Sequence, residues 1–200
     1  MKVIKAQKAE LRTIFSKKRS ALNSSEINKL SLQINQNFIT HLLPKIYNRN
    51  SDKIFALYLP SAKEVNTQLI AKYFQENQVV FCYPKITKKD SHLDFILAEE
   101  SQILVPNQFY PKILEPVAGK KIFPDYLILP LLAFDDKMSR LGRGGGFFDR
   151  TISFLKKQKP QIITIGLAYD FQRSNKIVTD KTTDQKLDFI VTEHMIFSAN

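Results

Sequence analysis

The chain has 200 residues and a formal net charge of +11, with 44% hydrophobic residues, 24% charged residues, fifteen Phe and no Trp. That apolar content can fill a globular core and excludes a disordered basic tail, which is poor in aromatic and aliphatic residues. The longest uncharged and mostly apolar stretch, Tyr126 to Phe134, is half of what a membrane-spanning helix needs, and the lone Cys82 excludes a disulfide framework or a cysteine-rich zinc site.

Residues 2–19 are expected to form a helix, with Ile4, Leu11, Ile14 and Phe15 roughly on one face. Residues 1–20 hold seven basic residues and one acid, over half of the charge excess. A polyanionic partner, nucleic acid included, is therefore one reading of this segment. Lys8 and Arg12, four apart, share a face of that helix. Asn23-Ser24-Ser25-Glu26 is a helix start, followed by Ile27, Leu30, Ile34, Phe38 and Leu42 at helical spacing until Pro44. Together the two segments predict a helical hairpin at about 2–47 covering a sheet.

From Lys53 to Pro60 the chain reads as a strand, apolar along its length as in a sheet covered on both faces. A short helix is expected over Thr67–Glu76, then strands at Val79–Tyr83, Leu93–Leu97 and Tyr126–Leu131. Between them, residues 99–124 are broken by Pro106, Pro111, Pro116 and Pro124 and read as irregular. Phe147–Lys157 reads as a helix, and Ile162–Leu167 and Leu187–Val191 as the last two strands. The alternation predicts an α/β fold: one domain over residues 1–200, with a mainly parallel open sheet flanked by helices in three layers. Lysines at the N-terminus have no apolar block behind them, so a soluble, cytoplasmic protein without a membrane partner is expected.

The chemistry concentrates in Arg140-Leu141-Gly142-Arg143-Gly144-Gly145-Gly146-Phe147-Phe148-Asp149-Arg150, where four of the six glycines fall within five residues. Glycine allows positive φ and close backbone approach, and successive amides before a helix form a nest for phosphate oxygens. Arg140 and Arg143 add forked donors. The run is neither a P-loop, lacking Gly-Lys-Ser/Thr, nor a Rossmann fingerprint, since Phe147 stands where the last glycine belongs. Read alone, the glycines also suit a flexible turn, and Asp149 a helix first turn. Phosphates in the nest would repel Asp149 unless Mg²⁺ bridged them, so the run suggests a Mg²⁺–nucleotide site.

The same residues resemble the R-L-G-x-G-x-G-Y-Y-D-R signature of 5-formyltetrahydrofolate cyclo-ligases (methenyltetrahydrofolate synthetases). The likeness extends to Lys8-Ala9-Glu10-Leu11-Arg12, to Tyr58-Leu59-Pro60 with Glu64-Val65-Asn66-Thr67, and to Pro130-Leu131-Leu132-Ala133-Phe134-Asp135. It closes on Asp184-Gln185-Lys186-Leu187-Asp188 and Val191-Thr192-Glu193. The resemblance implies ATP-dependent conversion of 5-formyltetrahydrofolate to 5,10-methenyltetrahydrofolate, with ADP and phosphate released. It assigns ATP to Lys8, Arg12 and the loop Arg140, Leu141, Gly142, Arg143, Gly144, Gly145, Gly146, Phe147 and Phe148. Magnesium falls to Asp149 and Asp184. The folate falls to Leu59 and Glu64, with Arg143 to Phe147 between the two substrates and Arg143 and Asp149 as the catalytic pair. A monomer acting on small molecules, with no specific nucleic acid, is the corresponding expectation.

The chain departs from the pattern at three places. Phe147 and Phe148 replace tyrosines, Thr183 stands where many members have His, and Pro111-Lys112-Ile113-Leu114-Glu115-Pro116 replaces F-G-I-x-E-P, leaving Glu115 unassigned. A catalytically idle folate- or nucleotide-binding protein is the alternative these departures leave open, with a basic nucleic-acid-binding module behind it.

Overall fold

The structure, a computed structural model, describes residues 2–61, 63–99, 102–180 and 182–199. The expected first helix is α1, Lys2–Ala21, and the second begins at the Asn23 signal as α2, Ser24–Asn37. Asn23 Oδ1 accepts from the Glu26 amide at 2.9 Å, and the Glu26 carboxylate accepts from the Asn23 amide at 2.8 Å. Two amides that the helix cannot satisfy are thus bonded reciprocally. Asn23→Ala removes one half of this box and is expected to cost about 1 kcal/mol, read as a lower urea midpoint with an unchanged slope.

Pro44 does not end the helical run. The helix widens into a π-turn over Phe38–Leu42 and continues as α3, Leu43–Ile46, with Pro44 in its first turn. A proline has no amide to return to the preceding turn. The wide turn absorbs this: the Leu43 amide reaches Phe38 O, and Pro44 falls where a helix start needs no donor.

The chain continues through β1 (Phe55–Ala56), α4 (Gln68–Glu76), β2 (Phe81–Lys85), β3 (Asp94–Leu97), β4 (Leu104–Pro106) and β5 (Leu114–Pro116). It ends with β6 (Tyr126–Pro130), β7 (Ala133–Phe134), β8 (Arg140–Leu141), α5 (Phe147–Gln158), β9 (Ile163–Leu167), β10 (Phe189–Val191) and β11 (Ile196–Ser198). One sheet has the order β11-β10-β9-β6-β1-β2-β3. Its five inner strands are parallel, and both edge strands run antiparallel to their neighbours. The α/β architecture with a mainly parallel sheet is therefore as expected.

Alternation along the strands separates the two faces. Phe55, Leu57, Ile128 and Ile165 face α2 and α4, meeting Ile34, Phe38, Ile70 and Phe74. Ala56, Leu127, Leu129 and Ile190 face the other way, onto Ile152 and Leu155 of α5.

Four expectations change. First, α1 does not cover the sheet with α2. Phe15 packs instead with Leu132, Ala133, Leu141 and Ile177, over the β7–β8 hairpin. Second, the expected strand 53–60 pairs regularly only at Phe55–Ala56, because beyond Leu57 the chain leaves the ladder. Third, the irregular stretch 99–124 contains the β4–β5 ribbon, with Pro106 and Pro116 at strand ends where their missing amides leave the pairing intact. Fourth, β11 follows β10 as an edge strand too short to stand out in sequence.

Candidate active site

The glycine loop is delivered to the sheet by the β7–β8 hairpin. Asp135, 2% exposed, organises the turn: one carboxylate oxygen accepts from the amides of Lys137 (3.0 Å) and Ser139 (2.9 Å), the other from Ile177 (2.9 Å). Leu132 N–H to Leu141 O, 2.7 Å, then aims residues 142–146 across the ends of β1 and β6. Within the loop Gly144 has φ +106° and Gly146 φ +68°, conformations that L side chains rarely adopt. A Cβ on Gly146 would also meet Arg150 Nη1 at 2.5 Å.

Arg150 holds the far end of the loop. Its Nη2 donates to Gly145 O at 2.8 Å and its Nε to Ser91 O at 3.1 Å. The guanidinium also lies 5.1 Å from the centre of the Phe147 ring.

Beside the loop opens a cleft of about 1070 Å³, next to residues that follow the carboxyl ends of β1, β2 and β6. Open α/β sheets bind ligands at such ends. Every residue singled out from sequence lines it: Lys8 and Arg12 from α1, Leu59 and Glu64 from the β1–α4 loop, Arg140 to Asp149, and Asp184.

Acids and bases meet in pairs around this cleft. Lys8 Nζ pairs with Asp184 Oδ2. Arg140 Nη2 donates to Asp149 Oδ1 at 2.8 Å, and that oxygen also accepts from the Gln185 amide at 3.1 Å. Arg143 Nη2 lies 3.0 Å from Glu64 Oε1 and 2.9 Å from Ser61 O, and Arg12 Nε donates to Gly142 O at 3.0 Å. The Arg140 side chain is only 2% exposed. Burial pulls its pKa down from the ordinary value, and the charges of Asp149 and Asp184 oppose that shift. Arginine is not deprotonated in proteins, so the guanidinium stays charged.

Among the described residues no group of three or more His, Cys, Asp or Glu is placed to hold a metal. Asp149 and Asp184 nonetheless suit Mg²⁺, which binds through one or two carboxylates completed by substrate phosphates and water. In each, the hydrogen bonds to described residues fall on a single oxygen.

The cleft also has an apolar lining that escaped the sequence reading. Ile86, Leu93, Tyr110 and Ile113 line it, and Tyr110 meets Phe147 edge-to-face at 5.6 Å. Glu115 lines it too, 6% exposed, accepting from the Ile86 amide at 2.9 Å and Asn107 Nδ2 at 2.8 Å. Ile86 follows β2, Leu93 precedes β3, and Tyr110, Ile113 and Glu115 belong to the β4–β5 ribbon and its turn; no local pattern marks them. Arg19 is a further cleft residue missed from sequence, although its spacing from Lys8, Arg12 and Phe15 puts all four on one helix face.

Comparison with known proteins accords with this geometry. Residues 4–193 match the 5-formyltetrahydrofolate cyclo-ligase family. A 5-formyltetrahydrofolate cyclo-ligase of Mycoplasma pneumoniae is 31% identical over 187 residues, covering 93% of this chain and 98% of that protein. One from Haemophilus influenzae is 30% identical over 191 residues, covering 92% and 97%. The solved 5,10-methenyltetrahydrofolate synthetase of Aquifex aeolicus superposes with a TM-score of 0.78 at 27% identity, over 96% of this chain and 93% of that one. The loop signature, the α/β frame and the near-complete match thus agree, and the chain belongs to the 5-formyltetrahydrofolate cyclo-ligase family.

Proposed function

We propose that this chain converts 5-formyltetrahydrofolate to 5,10-methenyltetrahydrofolate at the expense of ATP, releasing ADP and phosphate. The observation that carries the reading is the mixed lining of one cleft. Lys8, Arg12, Arg140 and the glycine loop line it together with the apolar side chains of Ile86, Leu93, Tyr110 and Ile113. The first suits a triphosphate, the second a flat heteroaromatic ring.

The chemistry needs ATP because a formyl oxygen is a poor leaving group. That oxygen attacks the γ-phosphorus, and the bond to ADP breaks. N10 of the folate then attacks the activated carbon and gives up its proton, and phosphate departs with the former formyl oxygen. Proton transfer by the protein is a minor part of this sequence; positioning and charge neutralisation carry it.

Lys8, Arg12 and Arg140 would neutralise the phosphates, and Arg140 is held ready by Asp149. Arg143, whose side chain is half-exposed, is paired with Glu64 and can turn toward the transferred group. Asp149 and Asp184 would hold Mg²⁺, which when bound supplies the charge that lets carboxylates and phosphates share the nest. Phe147 and Phe148 keep the aromatic faces of the loop without hydroxyls, so no phosphate or metal group is lost with them.

Purified protein given folinic acid, ATP and Mg²⁺ should develop the near-ultraviolet absorbance of the methenyl product. Omitting ATP should abolish it, and chelating the metal should reduce it to background. Folate binding without any product from fresh folinic acid would overturn the reading in favour of a catalytically idle binder.

A further inference from the structure

Arg19 is 6% exposed, and among the described residues its side chain has neither a hydrogen bond nor an ion pair. Its nitrogens are not among the buried polar atoms that lack a partner, so the guanidinium donors that no described residue accepts are open to the cleft rather than sealed in the core. The part of Arg19 that is not covered faces the cleft. Burial draws its pKa down, Glu64 acts against that shift, and Arg143 adds to it.

The neighbourhood of Arg19 is built rather than accidental. Lys63, in the left-handed region at φ 62°, donates from Nζ to Ser20 O at 2.6 Å and to Leu22 O at 2.5 Å. That contact fastens the β1–α4 loop to the end of α1 and brings Glu64 beside Arg19. Glu64 does not serve as the partner of Arg19. Its carboxylate is bonded to the Ser61 amide at 2.9 Å and paired with Arg143 at 3.0 Å. The cleft therefore presents, side by side, a carboxylate with acceptor capacity and a guanidinium with open donors.

Resting on the folate reading above, we infer that Glu64 and Arg19 together read the edge of the pterin ring, with Arg19 donating to the oxygen on C4. That edge carries two adjacent donors, the 2-amino group and N3–H, followed by the C4 oxygen as an acceptor. A carboxylate matches the donors, and a guanidinium beside it matches the oxygen. The C4 oxygen neighbours N5, which bears the formyl group, so a grip at this point also orients the reacting carbon toward Arg143 and the loop. A phosphate is a poorer occupant here, because the charge of Glu64 would repel it. Lys8 and Arg12 stand instead at Asp184 and Gly142.

The test uses Arg19→Met and Arg19→Lys, with binding of folinic acid measured without nucleotide and of ATP without folate. Arg19→Met should weaken folinic acid by roughly 30-fold, the loss of one charged hydrogen bond, and leave ATP within about twofold. Arg19→Lys, a single point donor, should recover part of the loss. A side chain that makes no hydrogen bond or ion pair to the described residues should be replaceable with Tm changed by no more than about 2 °C.

Unchanged folinic acid binding in Arg19→Met would overturn the inference. So would an equal loss for ATP, or a fall in Tm that marks Arg19 as structural. A wild type that binds folinic acid but makes no methenyl product would overturn the proposed reaction and leave this subsite standing.

Discussion

Asp149→Asn is expected to lower kcat by about 10³-fold while changing the affinity for folinic acid by no more than about twofold. The asparagine carbonyl can still accept from Arg140 and from the Gln185 amide, so the loop and the start of α5 keep their anchors. What disappears is the negative charge. With it goes a carboxylate that would share Mg²⁺ with the phosphates, leaving Asp184, itself paired with Lys8, and its neighbour Asp180 as acids in the cleft lining. Turnover should then need a higher Mg²⁺ concentration. Asp149→Ala is the poorer probe, because it also strands the buried Arg140, a defect that costs roughly 3–5 kcal/mol in comparable sites. Wild-type kcat and wild-type Mg²⁺ dependence in a folded Asp149→Asn would remove this residue from the metal and from the chemistry.

The loop was legible in the sequence, and the apolar lining was not, for a physical reason. Residues 140–150 line the cleft as one contiguous peptide, so glycines for positive φ, arginines for charge and the first-turn acid all appear in a row. The helix start at Asn23 is legible on the same ground, since a capping box closes within three residues. Arg19 needed one further step: helical spacing puts it on the face of Lys8 and Arg12, but only the Lys63 contact shows that Glu64 is its neighbour.

The apolar wall depends on pairings with no local trace. Tyr110 reaches Phe147 because the β4–β5 ribbon folds beside the sheet, and its prolines read as breakers because nothing nearby says they sit at strand ends. Pro44 misled in the opposite direction. A proline normally stops a helix, but the π-turn before it takes up the missing amide bond. The helical hairpin was misassigned because amphipathic spacing shows that α1 buries one face, not what that face meets.

Asp135→Ala should be strongly destabilising, and its cost should fall on the fold rather than on the reaction. The substitution leaves the amides of Lys137, Ser139 and Ile177 without their acceptor; Ser139 and Ile177 are buried, while Lys137 is exposed and can turn to water. At 1–3 kcal/mol for each buried group, discounted for those that find water, the loss is about 4 kcal/mol, and Tm should fall by roughly 10 °C. Asp135→Asn can keep one oxygen on the Lys137–Ser139 pair while facing Ile177 with a donor, and should lose about half as much. Asp135 does not line the cleft, yet its turn sets the path of β8 and so of the glycine loop. ATP should therefore bind more weakly in Asp135→Asn, while kcat measured at low temperature with saturating ATP stays within a few-fold of wild type. This is the reverse of the Asp149→Asn profile, where the protein stays folded and the chemistry fails. If a folded, saturated Asp135→Asn lost turnover as deeply as Asp149→Asn, the hairpin would have to act on the reacting groups directly rather than by presenting the loop.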